Sequence, residues 1–243
     1  MKIICSDFDG TLNHGGITEE KLKAIRKWQE KGNLFCVVSG RQKDFFFELK
    51  EKNIPVDFFL ACNGAVITDK DFNVVSEARC EAEIGNELVE FIFSLDCSFA
   101  LFCGDRFLRI RRPGCPEEEG TDYDKDIKLS SFNQISTGCI SPEEAAQVTD
   151  RIREHFGEFL NPLQNGTCID IVPSGMDKAQ GIYKLLSLTG GKKEDVIAVG
   201  DNVNDEAMIK EFYSYAMENG VDRIKALADR ICVGIEELIE REI

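Results

Sequence analysis

Basic charge is what this chain is short of. Against 44 Asp and Glu it carries 29 Lys and Arg, a formal charge of −15, and so acidic a molecule repels the polyanions of nucleic acid and anionic membrane. That argues against both as partners. A small anionic ligand would have to be met by local cations instead. No apolar stretch approaches the roughly 20 residues that span a bilayer, and the first residues enter a strand-like run with no signal-peptide pattern. The expected location is therefore the cytoplasm. The ten cysteines include no C-x-x-C pair, and Cys5, Cys36 and Cys62 stand singly in apolar runs, where a thiol packs as a small hydrophobe. Neither disulfides nor a zinc site is expected. No strand-like run is followed by Gly-x-Gly-x-x-Gly, which removes the fingerprint of a nicotinamide dehydrogenase. Low-complexity tracts are absent too.

What the chain does have is material for a core. At 243 residues, 43% hydrophobic and 30% charged, it reads as a soluble globular protein of one large domain or two modest ones. The apolar run at 2–6 ends in Asp7-Phe8-Asp9-Gly10-Thr11-Leu12, the pattern of a strand buried on both faces that stops at a glycine. Asp7 and Asp9 are two apart and point the same way in extended backbone, so their like charges call for a cationic partner. A hard ion such as Mg²⁺ takes oxygen ligands of this kind. The alternative here is an ordinary strand-to-turn junction, where Asp and Gly are common. Two further runs end alike: residues 34–38 enter Ser39-Gly40-Arg41, and residues 196–199 enter Gly200-Asp201-Asn202-Val203-Asn204-Asp205. Ligands of open α/β sheets sit beyond the carboxyl ends of parallel strands. Convergence of these ends would gather three carboxylates, a hydroxyl and an amide.

Between these runs the elements follow in order. A helix is expected with Thr18 as N-cap, Glu19 and Glu20 in its first turn, and a stripe of Leu22, Ile25 and Trp28 that stops at Gly32. Strand, helix and strand make a βαβ unit, hence parallel strands. After Arg41 the pattern Phe45, Phe46, Leu49 reads as helical until Asn53 and Pro55; residues 58–62 form a third buried strand, and residues 66–75 a hairpin. From about residue 81 the pattern changes. A helical stripe of Ile84, Leu88, Phe91, Ile92 and Leu95 precedes strand-like runs at 99–103 and 107–111, an irregular stretch at 113–126 and a strand at 131–137. The next helix has Ser141 at the N-cap, Pro142 at N1 and Glu144 at N3, a capping box. Runs at 158–163 and 167–172 then flank the turn signal Asn165-Gly166. Helices interleaved with hairpins indicate an α+β sheet with its helices on one face. The expected organisation is a core of residues 1–80 and 174–243 with residues 81–173 inserted as a second domain. Lys178 opens a helix carrying Ile182, Leu185 and Leu186; the Gly190-Gly191-Lys192 at its end lacks the first Gly and final Ser/Thr of a phosphate loop and reads as a C-cap. The remaining elements complete a doubly wound, Rossmann-like parallel-sheet α/β core.

Four motifs in order carry a resemblance. The Asp-x-Asp-Gly-Thr-Leu of residues 7–12, the Ser-Gly-Arg of 39–41, Lys178 and the Gly-Asp-x-x-x-Asp of 200–205 are similar to those of the haloacid dehalogenase-like phosphatases, in particular the Cof-type subgroup, and the match spans nearly the whole chain. The inserted domain resembles the αββ-repeat cap of that subgroup. The resemblance implies Mg²⁺-dependent hydrolysis of a small phosphate monoester, a sugar phosphate being the first expectation, through an aspartyl-phosphate. Asp7 would be the nucleophile and Asp9 the acid and base. Asp7, Asp201 and the backbone carbonyl of Asp9 would hold the metal. Ser39, Gly40, Lys178 and Asn204 would bind phosphate, and Asp205 would orient Lys178 or a metal-bound water. Arg41 either positions substrate or forms a structural salt bridge, and Asn63-Gly64 is either near the substrate or a plain turn. His14 reads as an exposed loop residue, and Arg109, Arg111 and Asp170 of the cap read equally as substrate contacts or as solvated and structural side chains. Two rivals remain: a phosphomutase of the same fold, and a non-catalytic phosphate-binding regulatory module, which the presence of Asp7 and Asp9 disfavours.

Overall fold

The stripe of Leu22, Ile25 and Trp28 is buried in the computed structural model, which describes residues 1–243 apart from 46–48, 50–52, 116–119 and 125. Its helix starts where the sequence provides a cap: the Thr18 hydroxyl accepts the Lys21 N–H at 3.3 Å. Trp28 buries its ring and donates its indole N–H to the Leu34 carbonyl at 2.8 Å, so helix and following strand are pinned together. Burial of each such side chain contributes about 1.5–3 kcal/mol.

In chain order the described elements are β1 (Ile3–Ser6), α1 (Glu19–Glu30), β2 (Leu34–Val38), β3 (Phe58–Ala61), β4 (Val66–Asp69) and β5 (Val74–Glu77). Next come α2 (Ala82–Ser94), β6 (Phe99–Gly104), β7 (Phe107–Arg111), β8 (Thr121–Asp122), β9 (Phe132–Gly138), α3 (Pro142–Phe156), β10 (Leu160–Asn165) and β11 (Cys168–Pro173). The chain closes with α4 (Lys178–Thr189), β12 (Val196–Gly200), α5 (Glu206–Glu211), β13 (Tyr213–Met217), α6 (Asp222–Leu227), β14 (Arg230–Cys232) and α7 (Ile235–Glu242).

Two compact units result, one of Met1–Ser76 with Lys178–Ile243 and one of Glu77–Asp177. In the first, the sheet order is β14-β13-β12-β1-β2-β3-β4-β5. The six strands from β14 to β3 are parallel, and β4 runs antiparallel to β3. Strand order therefore reverses direction between β1 and β12, the switch point at which doubly wound sheets open a crevice for ligands. The core beneath it joins Ile3, Cys5, Cys36, Val38 and Leu60 of the sheet to Ile182, Leu185 and Leu186 of α4.

The second unit is a six-stranded sheet in the order β10-β11-β9-β6-β7-β8. Phe102, Ile135 and Ile171 are register partners across three strands, and with Leu88, Ile92, Val148 and Ile152 of α2 and α3 they form one core. Both helices thus cover one face. Arg109, Leu101, Ser136 and Asp170 form the adjacent row, pointing to the other. This unit extends four residues beyond the expected 81–173 at each end, because Cys80 exchanges backbone hydrogen bonds with Phe132 (2.8 and 3.0 Å) and Asn161 holds the Met176 carbonyl at 2.8 Å.

Several local expectations shift. The turn between β10 and β11 is Gly166-Thr167, since Asn165 pairs with Cys168; Gly166, at φ +61°, takes the first turn position instead of the second. Ser141 caps Glu144 N–H at 3.2 Å, yet the Glu144 carboxylate returns to the N–H of Ile140 at 2.8 Å and not to that of Ser141. After Arg41 a single 3₁₀ turn, Lys43–Phe45, is present, and the rest of the expected helix, Phe46 included, falls largely outside the described residues, as does the middle of 113–126. Among the described residues no helix is long and apolar enough to cross a membrane.

All ten cysteines are free thiols. Burial pushes Cys232 and Cys139 up to about 12, where only about one thiol in 10⁴ is ionised near pH 8. In the native protein iodoacetamide is therefore expected to label exposed Cys168 first and Cys232 only after denaturant is added. Peptide mass spectrometry checks this, and early labelling of Cys232 would contradict the burial described.

Candidate active site

Three strand ends are brought level by register. Ser6 of β1 pairs with Val199 of β12 and with Val37 of β2, so the residues that follow, Asp7, Asp201 and Ser39, leave the sheet side by side. Asp7 is buried, and its N–H donates to the Val199 carbonyl at 2.9 Å. The chain then turns through Phe8–Leu12, with Gly10 at φ +81°. A side chain at Gly10 would be left-handed and would place its Cβ 2.4 Å from Asp201 Oδ2, so glycine is required twice over. The Thr11 hydroxyl donates to Asp201 Oδ1 at 2.7 Å.

Lys178, fully buried at the start of α4, donates to Asp7 Oδ1 at 2.6 Å and to Asp205 Oδ1 at 2.5 Å. Asp205 also accepts the N–H groups of Asp201 (2.9 Å) and Asn202 (3.1 Å) on Oδ2, which fixes the loop after β12. Its oxygens are occupied. Among the described residues nothing further bonds Asp7 Oδ2 or Asp201 Oδ2, so each retains one carboxylate oxygen.

Asp7, Asp201 and Asp205 bring ligand-type oxygens within 4.8 Å of one another, the one such trio among the described residues. Three carboxylates face one ammonium. Burial pushes the Asp7 carboxyl up to about 8, with Lys178 opposing and Asp205 and Asp201 adding to the rise; burial likewise raises Asp201, against the Thr11 hydrogen bond. An all-oxygen donor set with excess negative charge fits a hard divalent cation. A carboxyl raised in the folded state holds a proton where the unfolded chain has released it, so metal-free stability falls as pH climbs from the ordinary 3.8 toward 8. The rise in melting temperature on adding MgCl₂ to EDTA-treated protein is therefore expected to be larger near about pH 8 than near about pH 5. Equal rises at both would place the ion elsewhere.

The other expected residues are placed differently. Asp9 turns its carboxylate away from the trio into a bidentate pair with Arg41 (Nε 2.6 Å, Nη2 2.8 Å). Ser39 is buried, and its hydroxyl accepts the Arg41 N–H at 3.2 Å; Gly40 lies between them. Asn204 is half-buried on the turn Val203–Asp205. Cys62 and Asn63 donate backbone N–H groups to the carbonyls of Arg41 (2.8 Å) and Ser39 (2.9 Å), so the Asn63-Gly64 turn braces that loop. In the second unit Asp170 accepts the Ser136 hydroxyl at 2.7 Å, Arg111 pairs with Asp122 at 2.8 Å, and Arg109 lies 4.5 Å from the Phe99 ring centroid.

One contributor escapes the sequence reading. Asn219, in the loop after β13, donates to the Gly10 carbonyl at 2.9 Å, and Val221 N–H bonds the Asp201 carbonyl at 2.9 Å. Its signal was available: residues 213–217 end in a turn, as the other three strands do, one position across the same sheet.

A family model described as haloacid dehalogenase-like hydrolase matches residues 4–237. The chain is 42% identical to the 5-amino-6-(5-phospho-D-ribitylamino)uracil phosphatase YitU of Bacillus subtilis over 97% of this chain and 93% of that protein. It is 32% identical to the phosphatase of the same name, YbjI, of Escherichia coli, over 94% and 89%. Among solved structures, SMU.1108c of Streptococcus mutans superposes with a TM-score of 0.87 at 22% identity, covering 100% of this chain and 98% of that one. These likenesses establish the family: the chain belongs to the haloacid dehalogenase-like hydrolases, as a phosphatase of the Cof type acting on phosphoric monoesters.

Proposed function

We propose that this phosphatase hydrolyses a small sugar-phosphate-like monoester with Mg²⁺, through a phosphoryl group carried on Asp7, and that its substrate is the phosphorylated ribitylaminouracil for which YitU and YbjI are named. The observation that carries the chemistry is Asp7 held by Lys178 beside Asp201 at the switch point. Asp7, Asp201 and the Asp9 carbonyl would hold the ion, which offsets charge on the transferring phosphoryl group when bound.

The chain's own groups divide the work. The Asp7 carboxylate attacks phosphorus through one of its oxygens, and the ester P–O bond breaks. Lys178 keeps Asp7 fixed and lends positive charge to the phosphoryl oxygens. Asp9 gives a proton to the leaving oxygen, then takes one from the water that attacks the phosphoaspartate and releases inorganic phosphate. Both Asp9 oxygens are engaged by Arg41, so Asp9 acts after the guanidinium lets go. A phosphate dianion offers Arg41 a partner of the same bidentate shape. The Ser39 oxygen accepts the Arg41 N–H and leaves its own proton to donate to phosphate, and Asn204 adds an amide contact.

The test is phosphate release from a panel of Mg²⁺-supplemented monoesters that includes the phosphorylated ribitylaminouracil and common sugar phosphates. Stoichiometric inorganic phosphate, fastest from the ribitylaminouracil, is the expected result. Return of the phosphoryl group to a second position of the sugar would instead establish a mutase, and absence of phosphate from every ester would overturn the reading.

A further inference from the structure

Lys21 carries a burial that α1 does not need. It stands in the first turn of that helix, where acidic residues suit the helix dipole, and is nevertheless buried at 4% exposure. Its ammonium donates to three backbone carbonyls, those of Leu12 (3.1 Å), Gly16 (2.9 Å) and His14. All three of its donors are thereby used. Burial pulls its pKa below the usual lysine value, with the Glu236 carboxylate of α7 opposing. A core lysine would need only partners; this one has partners drawn from a single loop.

That loop wraps the ammonium. Gly15 and Gly16 are consecutive left-handed residues (φ +68° and +86°), and added side chains would meet nothing within 4 Å. Their role is therefore backbone direction, not close packing. The loop is also continuous with the reacting residues. Leu12, whose carbonyl Lys21 holds, donates its N–H to the Asp7 carbonyl at 3.2 Å, and Asn13 donates to Phe8 at 2.9 Å. Thr11, one residue earlier, anchors Asp201.

We propose that Lys21 is a positioning residue of the phosphatase: a tethered cation that gathers the carbonyls of residues 12–16 and so fixes the turn bearing Asp7, Asp9 and Thr11. It touches neither substrate nor metal and acts through the loop. The proposal rests on the catalytic reading of Asp7. A misplacement of about 1 Å at reacting groups costs on the order of 100-fold in rate, which sets the scale of the effect.

Lys21→Ala and Lys21→Met are compared with the unaltered protein in Mg²⁺-dependent hydrolysis of p-nitrophenyl phosphate, below all melting temperatures. Both are expected to lose about 10- to 100-fold in kcat, with KM changed far less. In Lys21→Ala, n-propylammonium restores the missing stem and ammonium, and is expected to recover kcat several-fold. Tetramethylammonium, which has no N–H to donate, is expected to recover none, and Lys21→Met, whose side chain occupies the space of the lysine stem, is expected to respond to neither. The proposal is overturned if both variants keep kcat within twofold, or if the two ammonium salts act alike. Failure of both variants to fold would make Lys21 a determinant of the fold and would overturn it as well. Asp7→Asn run in parallel separates the two readings. If it turns over normally the catalytic reading fails; if it is inactive while the Lys21 variants are unchanged, only this proposal fails.

Discussion

Asp7→Asn is expected to lower turnover by about 10⁴-fold or more with the fold intact. Asparagine keeps the shape of the side chain and can still accept from Lys178, but its amide oxygen does not form an acyl phosphate that water then opens. The substitution also removes one of three carboxylates that crowd a single ammonium. Metal-free Asp7→Asn is therefore expected to melt no lower than the unaltered protein near about pH 8, where burial of the charged Asp7 is least favourable. Its melting temperature should also rise less on adding MgCl₂. A variant retaining more than about one hundredth of wild-type turnover would remove Asp7 from the chemistry. A variant that unfolds would make its role structural.

Lys178→Met is expected to be the most damaging change to stability, about 3–5 kcal/mol by urea denaturation. Among the described residues the ammonium is the one cation paired with either buried carboxylate, Asp7 or Asp205, at 2.6 and 2.5 Å. Methionine matches its length and leaves both charges uncompensated. Burial already pushes the Asp7 carboxyl up to about 8, and its protonation removes one of the two charges, so the deficit should shrink as pH falls toward about 5. Adding Asp205→Asn to Lys178→Met should recover part of the loss, since one stranded charge is gone, while turnover stays absent. A deficit below about 1 kcal/mol, or one that does not respond to pH, would mean that the pair is solvated or relaxes on substitution.

Much of this was legible in the chain. Strands β1, β2 and β12 could be read because buried parallel strands are continuous apolar runs, and each ends in a residue type that turns the chain or binds an ion. The helix caps at Thr18 and Ser141 were legible because capping is local chemistry. What escaped is what depends on where a side chain points after distant segments meet. Asp9 looks equivalent to Asp7 at a spacing of two, yet the chain after Asp7 enters the turn Phe8–Leu12, with Gly10 left-handed, and the Asp9 carboxylate meets Arg41 instead. The Gly166-Thr167 turn lay one residue from the expected Asn165-Gly166 because pairing with β9 and β10 together sets the register of β11, and a turn dipeptide alone does not. Asn219 was readable only as a turn, since nothing in its neighbourhood names Gly10. Lys21 resembled any lysine in a helical first turn, because burial is a property of the loop folded over it.

The distance along the chain between partners has a consequence for synthesis. Asp7 and Lys178 are 171 residues apart, and Thr11 and Asp201 are 190 apart. Ribosomes add about 5–20 residues per second, so the apolar β1 emerges on the order of ten seconds before β12 can cover its far side. During that interval the nascent chain has an open strand edge, the kind that recruits other chains, and none of the machinery for turnover. Slowing translation within the inserted unit should therefore raise the demand for chaperones holding the first 80 or so residues, whatever the final stability of the product.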